Sequence, residues 1–218
     1  MSPSERSRSD RQAEVAEAVW RVLDRDGFVG LSLRVVAAEM GATTGTVTHY
    51  FPSKDALADY ALELLASRRA EGETATPAEP LAALRMALLG MLPLDPTSRS
   101  ATRIWVSSWD AALADSRRAT SHAQRYRDSR DKLTRLVADA MNAAPGRRQV
   151  DRDPNTTAEL LHAAMLGLAT QAVLDPVAYP PERLAQLVDD AIARAVADPI
   201  VTGRHRTGDS TPAQASGS

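Results

Sequence analysis

Between Ser32 and Lys54 the chain reads SLRVVAAEMGATTGTVTHYFPSK, two short helical segments hinged on Gly41 and stopped at Pro52. Leu33, Val36, Ala37 and Met40 recur at helical spacing and define one buried face. After the turn, Val47 and Phe51 lie four apart and point inward together, leaving Thr44, Thr46, Thr48 and His49 to face out. Ala37 is the small residue where the helices touch, Gly41 makes the turn, and Val47 is the apolar anchor. This is the spacing of a helix-turn-helix, which offers the N-terminal part of its second helix to the DNA major groove. Ser32 is placed to cap the first helix, and Thr43 or Thr44 the second.

The charge of this segment does not announce its partner. The whole chain of 218 residues carries a formal net charge of −2, and residues 32–54 set Arg34 and Lys54 against Glu39. Any DNA-facing potential must therefore come from where charge is placed and not from its sum. With 44% hydrophobic and 25% charged residues, the composition is that of an ordinary globular protein able to bury a sizeable core. Cysteine is absent, so disulfides and thiolate metal sites are excluded. The N-terminus has no apolar leader core, and no run approaches the ~18–20 apolar residues of a membrane span, so a cytoplasmic protein is expected.

The remaining chain is expected to be all-α. Residues 1–9 read as a disordered arm in which Arg6 and Arg8 stand ready for phosphate or the minor groove. Helices follow over 10–26, stopped by Gly27, and over 54–70, with Phe28 expected to close the small core beneath the helix-turn-helix. The division falls after residue 57: a three-helix DNA-binding domain over 1–57, then a helical ligand-binding and dimerisation bundle over 58–200. That bundle reads as helices at 81–91, 97–113, 116–142, 156–174 and 181–196, the fourth announced by Asp153 and Pro154. The first half of 116–142 is polar and expected to be solvated, and 201–218 reads as a disordered tail.

The last two helices carry apolar stripes, and two copies of such a pair could close a four-helix interface between chains. Leu161, Met165, Leu168, Leu184, Leu187, Val188, Ala191 and Ile192 are the expected interface residues; the competing reading is an intramolecular core.

Gly27 followed by LSLRVVAAEMGATTGTVTHYFPSKDAL resembles the TetR family of bacterial transcriptional regulators. The family signature ends in an aromatic pair, a short break and a lysine, matched by Tyr50, Phe51 and Lys54. The resemblance implies that Thr44, Gly45, Thr46 and His49 face bases or backbone, and that Thr48, Tyr50 and Lys54 meet phosphates. Many members carry tyrosine where this chain has Thr48. Ser32 and Arg34 complete the candidate DNA-binding set. The C-terminal half is similar, more weakly, to the BetI-like subgroup, through the Trp105–Trp109 helix, the His122 and Tyr126 region, and LHAAMLGLATQAVLDP followed by PPERL. That similarity implies a dimer that represses from a palindromic operator until a small-molecule effector releases it.

Met86, Met91, Trp105, Trp109, His122, Tyr126, Met165 and Gln171 are the candidates for the effector pocket. Methionine adapts to varied ligands, and two tryptophans one turn apart could stack an aromatic or enclose a quaternary amine; both types also fill ordinary cores. No metal-ligand spacing, phosphate loop, dinucleotide fingerprint or nucleophile elbow occurs, so neither enzyme nor cofactor is expected. A ligand-independent architectural DNA binder remains the alternative, with a small helical enzyme behind it.

Overall fold

The computed structural model describes residues 3–71, 77–143 and 153–196. Ten helices and no strand occur among them: α1 (Pro3–Gly30), α2 (Leu33–Glu39), α3 (Thr44–Tyr50), α4 (Lys54–Glu71), α5 (Pro80–Leu89), α6 (Pro96–Ser107), α7 (Trp109–Leu113), α8 (Ser116–Ala143), α9 (Pro154–Leu174) and α10 (Pro181–Val196). The all-α expectation holds. The tail over 201–218 lies outside the described residues, as do the side chains of Arg6 and Arg8.

Two of the expected boundaries are corrected. α1 starts at Pro3, so most of the expected arm is helix; a proline in the first turn loses no hydrogen bond that the helix could have made. The helix expected over 97–113 divides at Ser108 into α6 and α7. There the Ser108 hydroxyl donates to the carbonyl of Trp105 at 2.6 Å, a local bond that competes with the regular ladder. Other termini follow the sequence. Gly27 breaks α1 at φ 64°, and Asp153 caps α9 by accepting from the backbone N–H groups of Asn155 and Thr156 at 3.2 and 3.0 Å.

Two apolar cores result. The first gathers Val15, Val19, Val22 and Leu23 of α1 with Phe28, Leu31, Val36, Val47, Phe51 and Leu57. It also takes Ala101, Ile104 and Trp105 from α6, so the N-terminal unit is closed partly by the next one. The second gathers Leu84, Leu88, Val137, Met165, Leu184 and Val188 from α5, α8, α9 and α10. An ion pair fastens this bundle from outside, Arg85 to Asp189 at 2.6 Å.

α9 is long and apolar enough to cross a membrane by length and composition, contrary to the expectation that no run qualifies. Its place in the fold explains the composition. One face packs against α8, α5 and α6, burying Thr157 and His162 along with Met165.

Most of the expected interface residues, on α9 and α10, face the chain's own core. Leu161, Met165, Leu184, Val188 and Ile192 are buried within the chain, and Leu168, Leu187 and Ala191 are half-buried. Periodicity selects the most apolar stripe of a helix, and here that stripe faces its own core. A second stripe of α9 faces out: Leu160, Ala163, Ala164, Gly167 and Leu174 are exposed, Leu160 at 69% and Leu174 at 77%.

Candidate DNA-reading surface and effector cavity

The turn between α2 and α3 is fixed by Gly41 at φ 62°, a conformation side chains resist. Ser32 caps α2 by accepting from the Val35 N–H at 3.2 Å. Thr43, not Thr44, caps α3, its hydroxyl accepting from the Thr46 N–H at 3.3 Å. Thr44 is left exposed at the start of α3, beside exposed Gly45, Thr48, His49 and Tyr50 and half-buried Thr46. Thr48 turns its hydroxyl back to the Thr44 carbonyl at 2.8 Å. Buried Val47 anchors the helix as the sequence requires, with 0% exposure.

A β-carbon at Gly45 would meet nothing nearer than the Thr43 hydroxyl at 3.8 Å. No internal packing demands a glycine there, although glycine costs a helix roughly 0.5–1 kcal/mol relative to alanine. The bare backbone faces outward.

The local charges sort into committed and free. Arg21 and Arg25, on α1, both donate to Glu39 of α2, at 2.7 and 2.9 Å. These bonds, that from Arg25 first, hold the Glu39 carboxyl below its ordinary range. Arg34 and Lys54 are exposed and have no ion pair among the described residues. Next to Lys54, Asp55 accepts from Arg118 of α8 at 2.6 Å, which ties the helix after the reader to the bundle.

Behind the reader lies a cavity of about 650 Å³, walled by α1, α5, α6, α8 and α9 with Trp109 of α7. Met86, Met91, Trp105, Trp109 and Tyr126 line it as expected. His122, Met165 and Gln171 do not. Met165 is buried in the second core, and Gln171 is exposed, accepting from the Tyr179 hydroxyl at 2.6 Å. His122 lies behind the wall, stacked on Trp105 with ring centroids 4.4 Å apart. It is also the exception to the solvated first half of α8, being only 4% exposed. Sequence reasoning missed Trp20, Arg125, Lys132 and His162 in the lining. Trp20 could have been found, since the chain has three tryptophans and the cavity gathers all of them.

Ser108 spends its proton on Trp105, so toward His122 Nε2, 3.3 Å away, it can only accept. The His122 proton is thereby assigned to Nε2. Burial pushes the His122 imidazole below its ordinary 6.5, with Arg125 adding to the effect; burial and then Arg130 do the same to His162. The folded state thus binds these protons less readily than the unfolded chain. Above pH 6.5 both states are neutral at these sites and stability is complete; it falls as pH drops through 6.5 toward the depressed folded values. Urea unfolding at pH 7.5 and 5.5 should show this loss, and the double variant His122→Phe/His162→Phe should show a smaller one. An unchanged pH dependence in that variant contradicts the assignment.

Comparison with known proteins agrees with this arrangement in both halves. Residues 16–61 match the family described as bacterial regulatory proteins, tetR family, and residues 80–197 match the BetI-type transcriptional repressor, C-terminal domain. The HTH-type transcriptional regulator PksA of Bacillus subtilis (strain 168) is 27% identical over 197 residues, covering 85% of this chain and 90% of that protein. BetI of Paraburkholderia phytofirmans is 26% identical over 142 residues, 63% of this chain and 71% of that one. Among solved structures, a transcriptional regulator from Rhodococcus sp. RHA1 superposes with TM-score 0.72 at 27% identity, over 83% of this chain and 93% of its own. A regulator from Saccharomonospora viridis, solved in complex with choline, gives 0.73 at 22% identity, over 84% and 96%, and shares the fold. With the C-terminal match alone spanning more than half of its length, the chain belongs to the TetR family, a DNA-binding transcriptional regulator with a BetI-type C-terminal domain and not an enzyme.

Proposed function

We propose that this regulator is a homodimeric cytoplasmic repressor, binding a palindromic operator through two copies of α3 and released by a small molecule in the cavity. The observation that carries this reading is the double membership of α6. Ala101 and Trp105 line the cavity and also belong to the core beneath the reader. A ligand that moves this wall moves the support of α1, α2 and α3. The junction is tight: a β-carbon on Gly27 would come within 3.2 Å of Ser107, and the Ser107 hydroxyl accepts from the Phe28 N–H at 3.4 Å.

The effector must bind the DNA-incompetent arrangement better, and each tenfold loss of operator affinity requires ~1.4 kcal/mol of such preference. The choline held by the Saccharomonospora viridis structure supports a small-molecule site in this fold. Pairing is assigned to the exposed face of α9, where small residues at Ala163, Ala164 and Gly167 let two helices approach between Leu160 and Leu174.

On the DNA side, Thr44, Thr46 and His49 read bases, and the bare backbone at Gly45 allows close approach. Arg34, Tyr50 and Lys54 position the helix on phosphates, and Ser32 and Thr48 serve mainly through their backbone bonds. A gel-shift titration against the DNA flanking its own gene tests the reading, with the absence of any sequence-dependent shift counting against it. Within that assay, Thr46→Ala should change preference at particular bases. Lys54→Ala should weaken all sequences alike and lower the salt slope by about one. Identical behaviour of the two variants on every operator contradicts this division of roles.

A further inference from the structure

The cavity contains two polar atoms that nothing in the protein satisfies. The Trp109 indole Nε1 and the Arg125 guanidinium Nη1 are both buried without a hydrogen-bond partner, and both residues line the same space. Indole and guanidinium can only donate. A buried donor left without an acceptor is costly, most of all a charged one, so the site is built to receive an acceptor.

The charges of the lining point the same way. The cavity lining includes the Arg125 guanidinium and one carboxylate, Asp95. Asp95 is already used: it caps α6, accepting from the backbone N–H groups of Thr97 and Ser98 at 2.8 and 3.0 Å and from the Ser98 hydroxyl at 2.7 Å. The aromatic rings do not form an open cage for a cation either. One face of Trp105 is covered by His122, and the Tyr126 ring is engaged at right angles with Trp105 and His162, at 5.8 and 5.7 Å.

Resting on the reading of this cavity as the effector site, we propose that it takes an organic anion, a carboxylate on an apolar body, and disfavours a quaternary ammonium. The carboxylate accepts from Arg125 Nη1 and Trp109 Nε1. The apolar body fills the space between Met86, Met91 and Trp20. A guanidinium suits a carboxylate because its planar donors match the two oxygens. A trimethylammonium group supplies no acceptor and meets the Arg125 guanidinium.

Isothermal titration of the full chain with matched probes tests this: decanoate against decyltrimethylammonium, with 2-naphthoate as an aromatic carboxylate and choline as a small cation. A carboxylate should bind more tightly than its ammonium counterpart. Arg125→Gln should weaken it by about tenfold or more, and Trp109→Phe, which keeps the ring and removes the N–H, by a few-fold. Thermal melts of both variants verify the fold, and Arg125→Lys should recover part of the affinity. The proposal is overturned if the ammonium probe binds more tightly than decanoate, if Arg125→Gln leaves carboxylate affinity unchanged, or if no carboxylate binds.

The same probes added to the protein–DNA complex separate the two readings. An ammonium that binds and releases DNA refutes the anion and leaves effector control standing. A carboxylate that binds through Arg125 but leaves DNA affinity unchanged supports the anion and refutes control.

Discussion

Gly167→Glu is expected to yield a folded chain that no longer pairs and binds its operator about 10²–10⁴-fold more weakly, the range over which joined sites outperform single ones. The internal consequences of this substitution are small. No atom lies within 4 Å of where the new β-carbon would sit, and α9 itself gains because glycine is a poor helix former. The loss therefore reports on what covers that face from outside. A carboxylate there would be desolvated between two apposed helices and would repel its counterpart across the two-fold axis. Sedimentation velocity should show a monomer with wild-type thermal stability of the secondary structure, or slightly higher. An unchanged dimer mass with unchanged operator affinity contradicts the assignment of this face. Loss of folding would show that the face is covered within the chain.

Trp105→Ala is expected to be the most damaging single substitution in the bundle. The side chain is 7% exposed and contributes to the N-terminal core, the cavity wall and the ring cluster with His122 and Tyr126. Removing a buried aromatic to alanine costs about 3–5 kcal/mol, because the surroundings collapse only partly into the space. For a chain of this size that corresponds to a fall in melting temperature of roughly 6–20 °C. Trp105→Phe keeps a ring against His122 and should recover most of the stability while enlarging the cavity. Effector affinity should then change although the fold is intact. A melting temperature for Trp105→Ala within about 2 °C of wild type would mean that the wall is not a shared support.

The reader was legible in the sequence because everything that makes it is local. Val36, Ala37, Gly41, Val47 and Phe51 lie within one stretch, and the caps at Ser32 and Thr43 act over three residues. The cavity was half legible. Trp105, Trp109 and Tyr126 stood out as aromatics, but Trp20 arrives from α1 and Arg125 from α8, and a pocket shared by six helices has no sequence period. The residues expected to pair are mostly buried within the chain, for a physical reason. α9 carries two stripes: the inner one, with Leu161 and Met165, is conspicuous, whereas the exposed one relies largely on alanine and glycine. His122 was singled out, but its burial behind the cavity wall was not legible, since one buried residue in a polar half-helix leaves no periodic trace.

The reader has little basic charge of its own. Arg21 and Arg25 are committed to Glu39, which leaves Arg34 and Lys54 as its exposed, uncommitted cations. In the proposed dimer, affinity comes from doubling, and the reading sites are related by two-fold symmetry at the DNA. Hydroxyl-radical footprinting of the region upstream of its own gene, with the full chain, addresses this most directly. The expected result is a pair of protected patches on each strand, related by a two-fold axis and lost together when the Gly167→Glu variant replaces the wild-type chain. A single unpaired patch, or protection indistinguishable from that on unrelated DNA, would contradict it.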